Sequence, residues 1–174
     1  MIFTGLKKKR IQNVFEKAIR NIDPIVLQIK NEPIEKIGVL IDEETYLKND
    51  VEYLLQSILG IDTTAIQIFI MRKFKKKDKP SDIHFTVKDF GWIGEINNPN
   101  LQKFIETPFD LFINFDAYNN VYIKYLTLMS KGKFKVGYSK TDDRLYNFMI
   151  VHEEDDLKTF ISELKKYLKI LNKL

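Results

Sequence analysis

Phe109-Asp110-Leu111-Phe112-Ile113-Asn114-Phe115 is the stretch that decides how this chain folds. It is apolar at most positions, as expected of a strand covered by protein on both faces. Two runs of the same kind precede it. Residues 35–41 read Glu-Lys-Ile-Gly-Val-Leu-Ile and end in the acidic cluster Asp42-Glu43-Glu44, and residues 65–71 read Ala-Ile-Gln-Ile-Phe-Ile-Met. Shorter strands are expected at 82–87, 134–138 and 145–152.

Between these runs the apolar spacing becomes helical. Ile11, Val14, Phe15, Ala18 and Ile19 mark one face of a helix over 7–20, and Asp23-Pro24 ends it. Residues 49–59 form a second, capped by Asn49 or Asp50 and stopped by Gly60. A short helix begins at Asn98-Pro99. Another runs from residue 119 to about 131, where Gly132 follows. The last opens on Glu154-Asp155-Asp156 and carries the stripe Leu157, Phe160, Ile161, Leu164, Leu168 and Leu171.

Strands alternating with helices predict a three-layer α/β sandwich. Its mostly parallel, Rossmann-like sheet should have five or six strands. No repeat or low-complexity linker interrupts the 174 residues, so 1–174 is expected to be one domain. In it, 1–23 would be the N-terminal amphipathic helix, and 35–174 the sheet core with the C-terminal helix.

Composition narrows the function. The chain lacks cysteine, which excludes disulfides, a thiol nucleophile and cysteine-held metals. No leader or apolar run of spanning length is visible, so a cytoplasmic setting is expected. The net charge is +4, with acids and bases interspersed. That permits an anionic partner without requiring one. The glycine loops that cradle phosphates are missing, and Asp42-Glu43-Glu44 stands where one would sit. No serine lies in a Gly-x-Ser-x-Gly elbow. His84 and His152 fall on different elements, so no metal site is expected, and each reads as a strand-end histidine bonded to the backbone in preference to a pH-responsive or catalytic one.

Ligands of open parallel sheets bind beyond the carboxyl ends of the strands. Those ends offer Asp42, Glu43, Asn114, Asp116 and His152, together with Arg72. Asp42 and Asp116 form an acid–base pair if their strands are neighbours, although Asp116 also reads as a cap for the next helix. Two basic clusters are candidates for phosphate contact: Lys7, Lys8, Lys9 and Arg10, and Arg72, Lys73, Lys75, Lys76 and Lys77, with Phe74 interleaved. Trp92, flanked by Gly91 and Gly94, reads as a hydrophobic plug.

Residues 109–115, the helix holding Tyr125-Leu126-Thr127-Leu128-Met129-Ser130, and Lys133-Phe134-Lys135-Val136-Gly137-Tyr138 together resemble part of the heptosyltransferase-type glycosyltransferases. That resemblance implies the N-terminal Rossmann-like half of a two-domain fold. Those enzymes have a glycine-containing loop after the first strand, which this chain replaces with acids. The chain also resembles a bacterial family of short α/β proteins of unknown function. The likeness rests on the basic amphipathic start, Lys88-Asp89-Phe90-Gly91-Trp92, the Phe109-Asp110 strand and the Leu-rich last helix.

Every catalytic signature fails while the core signals are strong. The leading expectation is therefore a non-catalytic binding or protein-interaction module with no cofactor, docking a protein partner through helix 7–20. The alternatives are a small enzyme or binder for an anionic or sugar-like ligand at the strand ends, and an RNA- or ribosome-associated protein.

Overall fold

The computed structural model describes residues 2–21, 32–75, 81–116, 118–139, 142–151 and 156–174, with side chains from Gly5 onward in the first of these. The six described strands are β1 (Ile37–Asp42), β2 (Ile66–Met71), β3 (His84–Phe85), β4 (Leu111–Asn114), β5 (Lys135–Tyr138) and β6 (Phe148–Ile150). They form one sheet in the order β3-β2-β1-β4-β5-β6, and every pairing is parallel. The expected α/β sandwich is thus present, with six strands and a fully parallel sheet.

The alternation of side chains along the central strands divides the core. Ile37, Val39 and Ile41 of β1, with Leu111 and Ile113 of β4, face α3 (Val51–Leu59) and α6 (Leu157–Ile170). Leu40, Phe69 and Phe112 face the other way. They pack in a cluster with α1 (Ile2–Arg20), α4 (Pro99–Glu106) and α5 (Val121–Met129). That second layer is aromatic: the Phe104 ring centroid lies 4.8, 5.0 and 5.8 Å from those of Phe69, Phe109 and Phe112. Packed rings of this kind bring large apolar area and favourable edge contacts.

Several elements differ from their sequence outline. Residues 43–48 form a helix, α2 (Glu43–Lys48). Asp42 caps it by accepting hydrogen bonds from Thr45 N–H (3.0 Å) and Thr45 Oγ1 (2.6 Å). The acidic cluster is therefore a helix start, where carboxylates are favoured by the N-terminal dipole. Asp50 caps α3, and Gly60 ends it with φ 79°, a conformation that needs glycine. Of the described residues 145–151, only β6 joins the sheet, because Leu145 closes a 3₁₀ turn (Asp143–Leu145) that brings the chain to the edge. Residues 82–87 give only β3, after which Thr86 and Asp89 form a reciprocal capping box over a second 3₁₀ turn.

Trp92 is not a plug. It is 45% exposed, whereas Phe90 is 1% exposed and fills the hole under the loop against Phe85, Tyr122 and Tyr125. Phe90 is tied inward by the bridge Phe90–Ile96, and the turn between them carries Trp92 outward. Among the described residues, no helix is long and apolar enough to cross a membrane.

Candidate functional site

The chain builds β1, β2 and β3 outward, then returns to place β4 on the other side of β1. Beside this reversal, a crevice lies beyond the carboxyl ends of β1, β2 and β3, the end of an open α/β sheet where ligands bind. It is a pocket of about 680 Å³. Asp42, Glu43, Glu44 and Leu47 of the β1–α2 connection form one wall. Met71, Arg72, Lys73 and Phe74 at the end of β2 form a second, and Val87 and Lys88, with Asn120 of the β4–α5 connection, complete the lining.

Each wall is placed by a local device already described. The α2 cap holds Asp42 at the floor and presents Glu43 and Glu44 on the first turn. Glu44 is held below the usual carboxylate range, mainly by its 2.7 Å bond to Lys48 and also by the charge of Lys73. Thr86 caps the turn that carries Lys88 by accepting its N–H (3.2 Å), and the Lys88 ammonium lies 3.6 Å from the Phe74 ring centroid. Cation and ring thus brace each other at the mouth. The result is a polarised crevice, with carboxylates over β1 and cations over β2 and β3.

Asn114 and Asp116 stand behind this crevice. Both are 1% exposed. Asn114 donates to Tyr146 Oη (2.7 Å) and Thr127 Oγ1 (3.2 Å), and its carbonyl accepts Asp116 N–H (2.8 Å). The Asp116 carboxylate accepts the N–H groups of Tyr118 and Asn120. Asn120 in turn accepts Tyr122 N–H and so caps α5. This relay fixes Asn120, which among the described residues is the one from the β4 side that reaches the crevice. Burial, and more weakly the charge of Asp42, push the Asp116 carboxyl up, against the two backbone donors.

A family model described as a family of unknown function, DUF6913, matches residues 7–171. The chain belongs to this family. The DUF6913 match runs from within α1 to the residue capping α6, so it takes in every strand and the whole crevice. No curated protein and no solved structure shows a significant match.

In this DUF6913 chain the strand-end candidates separate by role. Asp42, Glu43 and Arg72 line the crevice, Asn114 and Asp116 support it from within, and His152 lies outside the described residues. The basic candidates separate too. Lys73 reaches the crevice, Lys75 is exposed beside it, and Lys76 and Lys77 lie outside the described residues. Lys8, Lys9 and Arg10 are exposed along α1. Lys7 is half-buried, and its ammonium is pushed down by burial, against the attraction of Asp89 and Glu95.

His84 sits on the edge strand with Nδ1 2.8 Å from Ser81 Oγ, a contact across three residues within one bend. Among the described residues, no three carboxylates or imidazoles converge as metal ligands. Sequence reasoning missed Glu44, Leu47, Met71, Val87, Lys88 and Asn120 as lining residues. Thr86 and Asp89, at capping-box spacing, were the available signal for Lys88.

Proposed function

We propose that this chain is a binding protein for a small hydroxylated anion of the sugar-phosphate kind, held in the crevice at the strand ends. One observation carries the reading. The crevice is lined by Asp42, Glu43 and Glu44 from the β1–α2 connection and by Arg72, Lys73 and Lys88 from beyond β2 and β3, with Leu47, Met71 and Phe74 as apolar lining.

An anionic group is repelled from the β1 wall and attracted to the β2–β3 wall. Hydroxyls donate to the carboxylates, which when ionised can only accept. The apolar residues exclude water from the middle of the ligand, as in most small-molecule sites. Binding rather than catalysis is favoured because Asp116, the buried carboxylate at the switch point, accepts hydrogen bonds from the backbone N–H groups of its own loop. It serves as a structural anchor there and not as a proton shuttle to the crevice.

Thermal unfolding of the purified chain with glucose 6-phosphate, glucose and inorganic phosphate tests this. At about 100-fold over Kd the phosphorylated sugar should raise Tm by about 5 °C or more. Glucose and phosphate, each engaging one wall, should give smaller shifts. Lys73→Ala and Glu43→Ala, both at the rim, should each reduce the shift while leaving the ligand-free Tm within about 2 °C. A chain whose Tm none of the three moves overturns the reading.

A further inference from the structure

The apolar face of α1 is spent inside the fold, since Ile11 and Phe15 are fully buried and Ile19 is 2% exposed. The edge of the same helix is not. A second groove of about 460 Å³ runs between α1 and the turn at Trp92-Ile93. Val14, Trp92 and Ile93 supply its apolar lining, and Ile93 is 70% exposed. Arg10, Lys17 and Arg20 line it on the helix side, with the Arg10 guanidinium 5.3 Å from the Trp92 ring centroid. Among the described residues, the only carboxylate lining it is Glu16, which accepts a 2.7 Å hydrogen bond from Gln12.

We infer that this groove docks an acidic peptide segment of a partner protein, one that presents an apolar side chain between two or more carboxylates. Charge complementarity selects the occupant: three cations against one carboxylate favour an acidic segment. Two adjacent large apolar side chains at the turn favour a peptide over a bare polyanion. Trp and Arg are also the residue types that most often anchor protein interfaces. Peptide-binding Arg clusters act in the same way on acidic motifs. Among the described residues, none that lines this groove lines the strand-end crevice, so the two sites fail or succeed independently.

Random peptide display on the full chain tests the inference. The expected result is enrichment of peptides combining Asp or Glu with a large apolar residue. A synthetic peptide of that consensus should change the emission of Trp92, the chain's only tryptophan. Its affinity should fall tenfold or more in K17E/R20E and in Ile93→Ser. All three positions are exposed, and an unchanged circular-dichroism melt shows that the variants fold. Absence of enrichment, enrichment of basic peptides, or binding that ignores these variants overturns it. Equal competition by a uridine dodecamer also overturns it, in favour of a nucleic-acid surface.

Discussion

Asp42 and Asp116 leave neighbouring parallel strands side by side, two residues beyond the register pair Leu40–Asn114. Each is committed to the backbone of the helix or turn that follows it. Asp42 accepts Thr45 N–H, and Asp116 accepts the N–H groups of Tyr118 and Asn120. The pair that topology brings together therefore frames the crevice and does not form an acid–base couple within it.

Asp116 makes the first prediction. Burial, then the Asp42 charge, raises its carboxyl pKa in the folded state above the ordinary carboxylate value. The folded chain therefore holds this proton more tightly than the unfolded chain. Its contribution is greatest at low pH and is lost as pH rises from about 4 through the raised folded value. Asp116→Asn keeps an acceptor and removes the titration. Its stability relative to the parent should rise through that window in urea melts. Asp116→Ala should lose about 2 kcal/mol at neutral pH, because the Asn120 N–H loses its acceptor.

Gly38 gives the second. A Cβ at this position of β1 would meet the Phe109 ring at 2.5 Å. That ring is fully buried and packed on Phe104 and Phe112. Gly38→Ala should destabilise the chain by about 1–3 kcal/mol through overpacking, despite the better strand propensity of alanine. Gly38→Ala combined with Phe109→Leu should recover part of that loss in chemical denaturation.

Lys135 on β5 gives the third. Its Nζ donates to Thr127 O (2.9 Å) near the end of α5, and burial pushes its ammonium down to about 8. The unfolded chain holds this proton up to about pH 10.4. Stability therefore gains from Lys135 as pH rises from about 8 to 10.4, by as much as about 3 kcal/mol, and is flat below that window. The stability difference between the parent and Lys135→Met, measured at several pH values from 7 to 10, should grow with pH.

Asp110 has the opposite sign. Burial raises its pKa, but the Lys133 ammonium (2.8 Å) and the N–H groups of Glu35 and Lys36 outweigh burial and hold it below the usual range. Its contribution is present above about pH 4 and is lost as pH falls through the folded value. Asp110→Ala should cost about 1–2 kcal/mol at pH 7, mostly through the backbone donors, since the half-exposed Lys133 contributes little. That cost should shrink in acid.

The layered α/β plan was legible because the apolar runs of β1, β2 and β4 declare burial on both faces, and residues 11–19 declare one helix face. The short elements were not. α2 hides under three acids that read as a strand terminus, although Asp42 and Thr45 stand at cap spacing. Leu145 is apolar like a strand residue, yet it buries from a turn. The crevice was half legible. Asp42, Glu43 and Arg72 follow from the rule that ligands gather at strand ends. Lys88 does not, because it reaches the site from another connection and its position depends on the capping box that precedes it. Trp92 was misjudged because sequence shows two apolar aromatics, Phe90 and Trp92, but not which one the bridge to Ile96 turns inward.

The central claim is that a hydroxylated anion occupies the crevice between the β1 and β2 connections. Amide NMR of the labelled chain titrated with glucose 6-phosphate tests it most directly. The account predicts saturable shifts confined to residues 42–47, 71–74, 87–88 and 120, which in Lys73→Ala need a higher ligand concentration to saturate. Saturable shifts centred elsewhere, or none at all, would contradict it.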